Sequence, residues 1–574
     1  MAVALASLTR PFRERYLSYA DLEAQLRAWA DAYPDLVRLT TLGKTAEGRD
    51  LWLLTLGKDP DRARPSVLVD ANMHATELCG SSVALAIAED FLRLHLEPDT
   101  ALHGLPAHAR ERLRDVRVFV VPRTCPDGAE SILTTARYCR SNPRDARPNR
   151  HHARWIAADV DGDGLALSMR KEDPTGEFVA STEVPGLMLP RRFEDEGPFY
   201  KVWPEGTIEN FDGENVPSPY FLADNDADLN RNFPWSWAPE PEQIGAGRYP
   251  TSEFESRALV EFSTAHPDIY AWLNLHTFGG VFIRPLGHAA DTKMDPSDLA
   301  LYRQIEAWAD ELTGYPTVSG FAEFLYEPDK PLHGDLSDFA YHQRGAISYV
   351  VELWDLFAQI GVARKKPFVD HYTHLDRDDL LKLGRWDATH NQGRVIRPWK
   401  PMTHPQLGAV EVGGVDGRVG MSNPPYEMLA GVCDKHAAHF LRVAALAPAI
   451  QATVTAVEPL AGDLSRVTVT VENHGYLPTY VLSSARKLPW NEPLFADVEA
   501  VGCALGQPAE AHREVGHLDG WGRGRFDGES ALFYQRSRGS TGRKTLTWVV
   551  RGKGTLTVRV GSCRTGTVTC TANV

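Results

Sequence analysis

Cysteine is sparse and carries no metal spacing. Seven cysteines are scattered over 574 residues, and no two form a CxxC pair. That excludes a zinc ribbon or a thioredoxin-type redox centre and predicts reduced, structural thiols. Long hydrophobic runs are missing too: no stretch of about 18 apolar residues occurs, so no transmembrane helix is expected. The short apolar stretch at residues 2–8 has no basic residue before it, and Arg10, Arg13, Glu14 and Arg15 follow at once. This is a poor secretory pattern and predicts a cytoplasmic protein. Positive charge is also in deficit, since 61 Lys and Arg against 76 Asp and Glu leave a net charge of -15. Nucleic acid and membrane partners are therefore not expected.

The chain is too long for one ordinary core, which predicts a large domain plus a second module. Residues 19–33 carry Leu22, Leu26, Trp29 and Ala30 at helical spacing, and Pro34 ends that helix. Strands are expected at 37–42, 50–56, 66–70, 116–121, 271–275 and 346–353, with helices at 81–95, 253–265 and 298–312 between them. Such alternation predicts an α/β domain: a mixed, mostly parallel sheet with helices on both faces. It stops at about 140–224, a polar, proline-containing segment that reads as a surface insertion. A second irregular stretch, 357–447, ends in a helix at 425–445. After Pro448 the period becomes two, as in 464–471 and 545–560. The expected organisation is thus a domain at 1–447 and a C-terminal all-β sandwich at 448–574.

A catalytic zinc site takes three protein ligands and keeps one position open. In VLVDANMHATE, an apolar strand delivers His74 and Glu77, three residues apart, to a strand end. A second HxxE, His108 to Glu111, sits among Arg110, Arg112 and Arg114 with no strand before it and reads as a solvated helix face. A third ligand should come from another strand end, and WLNLHTFGG places His276 there, followed by glycines that would let backbone approach a ligand. Glu352 ends the apolar run of YVVELWD, where a buried strand edge meets a cleft. A carboxylate beside a metal can take a proton and return it to a leaving amine.

In ordered landmarks from Tyr16 to Glu352 the chain resembles the zinc metallocarboxypeptidase family. HATE matches the family's metal motif, and PRTCPDG resembles its asparagine-proline-aspartate-glycine turn, with Cys125 for the asparagine. The resemblance implies one catalytic zinc on His74, Glu77 and His276, with Glu352 as general base. It further implies Arg137, nine residues after Gly128, as the cation that polarises the scissile carbonyl; Arg140 and Arg144 are its near competitors. DLNRNF places Asn230 and Arg231 where the family binds a terminal carboxylate, and GDLSDFAY puts Ser337 where side-chain preference is set. Thr76 stands where many members carry an arginine. The family's mobile tyrosine has no clear counterpart, Tyr326 being too far upstream.

The function expected on this basis is exopeptidase cleavage of a peptide or small amide with a free C-terminal carboxylate. The alternatives are a zinc amidase or deacylase acting on a small conjugate or cell-wall peptide, and an inactive binding module on a peptidase scaffold. In the insertion, Asp159, Asp161 and Asp163 alternate before Gly164 like the first half of a calcium loop. The twelfth position is Arg170 rather than glutamate, so calcium and an ordinary acidic turn are both carried forward.

Overall fold

A computed structural model describes residues 4–97, 99–143, 151–219, 227–327, 330–522 and 537–574. Its central sheet has eight strands, in the order Val37–Lys44, Asp50–Leu56, Arg117–Val121, Ser66–Ala71, Ile269–His276, Ile347–Glu352, Val281–Arg284 and Thr317–Ser319. The run from Arg117–Val121 to Ile347–Glu352 is parallel throughout. The first hairpin and the pairing of Val281–Arg284 with Ile347–Glu352 are antiparallel.

The central strands read as unbroken apolar runs because both faces are covered. Alternation still sorts their side chains. Val67, Val69, Ala271 and Leu273 face a core built with the helices Cys79–Leu96 and Tyr426–Ala444. Leu68 and Trp272 face the other way, against Leu259 of the helix Phe254–Ala265 and Phe339 of the helix Leu336–His342. Among the described residues, no helix is long and apolar enough to cross a membrane, and all seven cysteines are free.

The two stretches where the sequence shows no regular pattern turn out to complete each other. Strands Ser168–Glu172, Phe178–Ala180, Met188–Pro190 and Phe199–Pro204 join Ile396–His404 and Gly408–Val415 in one six-stranded sheet. Its register pairs Met169 with Val412, and a small core of Trp155, Met169, Ile208, Val410 and Val412 lies beneath it. The flanks of the insertion, 144–150 and 220–226, lie outside the described residues.

The C-terminal module stacks two four-stranded sheets on a core that includes Val467, Val469, Val471, Trp548, Val550, Leu556 and Val558. It is tied to the central sheet by Arg564. This fully buried guanidinium donates to the carbonyls of Ile269 (2.5 Å), Arg344 (3.0 Å) and Gly345 (3.3 Å) and lies over the Trp490 ring. Burial pushes Arg564 down to about 9, so it stays charged at neutral pH. Hydrogen bonds from a charged donor are each worth about 1.5–3 kcal/mol, enough to make this a firm attachment.

Candidate metal centre

Three adjacent parallel strands deliver the centre at their C-terminal ends. His276 and Glu352 are the last residues of their strands and are register partners. On the other side, Leu275 pairs with Ala71, the last residue of Ser66–Ala71. The chain then turns at Asn72, which adopts a left-handed conformation (φ 56°) that asparagine tolerates. Its Nδ2 donates to the His74 carbonyl at 2.7 Å. Asn423, distant in sequence, fixes the rest of the loop: its Oδ1 accepts from the Cys79 N–H (2.8 Å) and its Nδ2 donates to the Thr76 carbonyl (2.7 Å).

His74, Glu77 and His276 are all buried and converge. His74 Nδ1 is 2.7 Å from Glu77 Oε1, His276 Nδ1 is 2.9 Å from Glu77 Oε2, and the two Nδ1 atoms are 3.1 Å apart. The outer nitrogens define the tautomers. His74 Nε2 faces Asp228 Oδ1 at 3.0 Å, and His276 Nε2 faces Asn274 Oδ1; both oxygens can only accept. The ring protons therefore sit on Nε2, and both Nδ1 lone pairs point inward at one carboxylate. Two lone pairs and an anion facing one another call for a cation, and an N, N, O set whose imidazoles are backed by a carboxylate (Asp228) and an amide oxygen (Asn274) suits zinc. Asn274 is held in turn by donating to Asp70 Oδ2 (2.7 Å), a buried carboxyl that burial pushes up to about 7 against its hydrogen bonds.

The electrostatics separate the two glutamates. Burial would raise Glu77, but positive charge at the flanking imidazole edges, whether a proton or a metal ion, outweighs it and holds the carboxylate below its usual range. Burial and the charge of Glu77 push Glu352 well above that range, and its Oε2 is buried without a hydrogen-bond partner. Glu352 is thus the group poised to hold a proton. Asp228 is likewise opposed by burial, yet Arg140 and His74 keep it well below the usual range.

The cleft at this edge is lined by His74, His276, Glu352, Asn230, Arg231, Ser337 and, unexpectedly, Arg140 and Tyr326. Arg140 replaces Arg137 in the arrangement. The helix Pro126–Thr135 ends on a left-handed Ala136, and four residues later the Arg140 carbonyl accepts from the Ala75 N–H (2.9 Å). That contact sets its guanidinium 2.9 Å from Asp228 and 3.9 Å from Glu77. Arg137 does not line the cleft and, among the described residues, forms no ion pair with these carboxylates. Asn230 commits its Oδ1 to the Leu336 N–H (2.9 Å), which leaves its N–H donors for a ligand; Arg231 donates one N–H to the Asn230 carbonyl (2.7 Å). Ser337 is buried and donates to Asp335 Oδ1 (2.7 Å). Tyr326 lines the cleft at 53% exposure, although its spacing in the sequence gave no sign of it.

The glycines after His276 serve a different purpose from the one expected. A Cβ at Gly279 (φ 158°) would fall 2.0 Å from the Tyr372 hydroxyl, and one at Gly280 (φ 68°) would fall 2.3 Å from Asp355. They make room for these side chains rather than for a ligand. The calcium expectation finds no support either. Asp159 accepts from Gly162 and Gly164, while Asp163 accepts from Leu165 and pairs with Lys400 at 2.8 Å. Asp163 thus turns away from Asp159 and Asp161, and the run is a turn closed by its own carboxylates.

A family model described as zinc carboxypeptidase matches residues 22–178 and 210–360, just over half of the chain. Residues 449–573 match a domain of unknown function (DUF8731). A zinc carboxypeptidase of Saccharothrix mutabilis subsp. capreolus is 31% identical over 147 residues, 25% of this chain and 32% of that protein. Carboxypeptidase B of Bos taurus is 22% identical over 357 residues, covering 60% and 64%. The chain thus spans about a third of the first of these relatives and about two thirds of the second. Among solved structures, carboxypeptidase A from Helicoverpa armigera aligns at 18% identity and a TM-score of 0.38, over 66% of this chain and 75% of that one.

If Asp228 orients His74, Asp228→Ala should weaken zinc binding by about 10- to 100-fold, the usual effect of removing a carboxylate behind a metal-bound imidazole. Zinc titration of the purified protein checks this; an unchanged affinity would mean that the ring is fixed by something else.

Proposed function

The chain belongs to the zinc carboxypeptidase family, and from that premise we propose that it is a zinc-dependent metallocarboxypeptidase removing the C-terminal residue of a peptide or small amide. One observation carries the reading: two imidazole lone pairs and Glu77 converge on a point beside Glu352, a carboxyl kept free of hydrogen-bond partners. His74, Glu77 and His276 would hold the metal. Zinc bound there supplies Lewis acidity, polarising a carbonyl and acidifying water beside it.

The chain's own residues do the rest. Arg231 and Asn230 grip the terminal carboxylate with the N–H groups their local bonds leave over, a charge-assisted fork that fixes the substrate's end. Arg140, held by Asp228, sets a fixed cation where negative charge develops on the carbonyl oxygen. Glu352 takes the proton from the attacking water and returns it to the leaving amine. Tyr326 at the mouth provides a phenol that can cover the bound end. Ser337 and Asp335 line the space left for the terminal side chain.

Arg140→Ala should lower kcat by on the order of 10²-fold, the usual loss when a transition-state donor is removed, whereas Arg137→Ala should stay near wild type. Steady-state kinetics on an acyl-dipeptide distinguishes them, and the reverse order would restore Arg137 to the site. Amidating the substrate's C-terminus should abolish cleavage, because Arg231 and Asn230 then lose their anion. Equal rates on free and amidated peptides would instead favour an endopeptidase or amidase.

A further inference from the structure

Next to residues that line the cleft lies a second convergence of histidines and a carboxylate: His288, Asp338 and His342, with donor atoms within 4.8 Å of one another. We propose that these three residues form a second divalent-cation site, of the zinc type, distinct from the catalytic centre. Asp338 and His342 lie four residues apart on the helix Leu336–His342, so one helical turn presents both on the same face. His288 arrives from the segment that follows the strand Val281–Arg284.

The local bonding pairs His288 with Asp338 and leaves His342 open. Asp338 accepts from the backbone N–H groups of Gly287 (3.1 Å) and His288 (3.3 Å), which aims its carboxylate, and Oδ2 lies 2.6 Å from His288 Nδ1. That is close to the 2.7 Å between His74 and Glu77 at the first centre. His342 Nε2 is buried and has no hydrogen-bond partner. Its ring stacks on Trp235 (4.2 Å between centroids) and stands 5.1 Å from that of His288. A buried polar nitrogen with no partner is costly, and a cation removes that cost. Two imidazoles and one carboxylate make the nitrogen-and-oxygen set that zinc prefers over the hard, all-oxygen sites of calcium or magnesium.

The position gives the ion a task. Gly287 and Ser337 line the cleft, one beside His288 and the other beside Asp338. A cation bridging the two segments would tie together the walls that receive the substrate's terminal side chain, without touching the reacting bond.

The test is a metal count on the full chain, stripped with chelator, reloaded with excess Zn²⁺ and desalted. Mass spectrometry of bound zinc should give two ions per chain for wild type, one each for His276→Ala and His342→Ala, and none for the double variant. Zinc should also raise the melting temperature of His276→Ala, in which only the second site is left. Wild type saturating at a single ion that His276→Ala removes, or two ions kept by His342→Ala, would overturn the proposal. A single ion lost in His342→Ala but kept in His276→Ala would support this site and refute the first. Because His342 is packed against Trp235, His288→Asn, at a side chain 25% exposed, provides a gentler variant. It too should hold one ion, and two would overturn the assignment.

Discussion

His276 and Glu352 face each other across a parallel strand pair, each at its strand's last residue, and the rest of the site is arranged around that register. Parallel strands end on the same side, so the C-terminal edge of such a sheet gathers side chains from segments far apart in the chain. A one-residue slip in either strand would turn its terminal side chain to the opposite face. The register is held by burial: the strands between Ser66 and Glu352 put Leu68 and Trp272 into one core and Val69 and Leu273 into the other. Packing on both faces therefore fixes the distance between His276 and Glu352.

Around that constraint lies a second layer of polar contacts that selects protonation states. Asp228 and Asn274 each take an Nε2 proton and so turn an Nδ1 lone pair toward the centre. Asp228 also holds Arg140, so one buried carboxylate aligns both His74 and the cation proposed to stabilise the carbonyl. Asp70 supports Asn274 and Asn423 supports the HATE loop. Each link lies in a different part of the sequence.

The fold was legible wherever the local pattern was long. The strands and helices from Tyr19 to Glu352 that carry apolar runs or helical spacing appear close to the expected bounds, and strand-rich sheets follow Pro448. The strands Val281–Arg284 and Thr317–Ser319 were not legible, because four and three residues are too short to show a period. The insertion sheet was missed for another reason: Ser168–Glu172 finds its partner in Gly408–Val415, some 240 residues away, and neither carries a pattern of its own. In the site, His74, Glu77, His276 and Glu352 stood out because each follows an apolar strand. Arg137 was preferred to Arg140 by counting from Gly128, but the left-handed Ala136 and the contact of Arg140 with Ala75 decide which guanidinium faces the cleft. Asp228, Asn274 and Asn423 gave no sign, since a supporting hydrogen bond leaves no periodic or spacing signature.

The central claim is that this register sets a metal site and a separate proton-handling carboxylate side by side. Glu352→Gln tests it most directly, because the change keeps the side chain's shape and removes only its proton chemistry. Measured together, zinc content should equal that of wild type and turnover should fall on the order of 10²-fold or more. Loss of zinc would make Glu352 a ligand, and near-normal turnover would place the catalytic carboxylate elsewhere; either result would contradict the account.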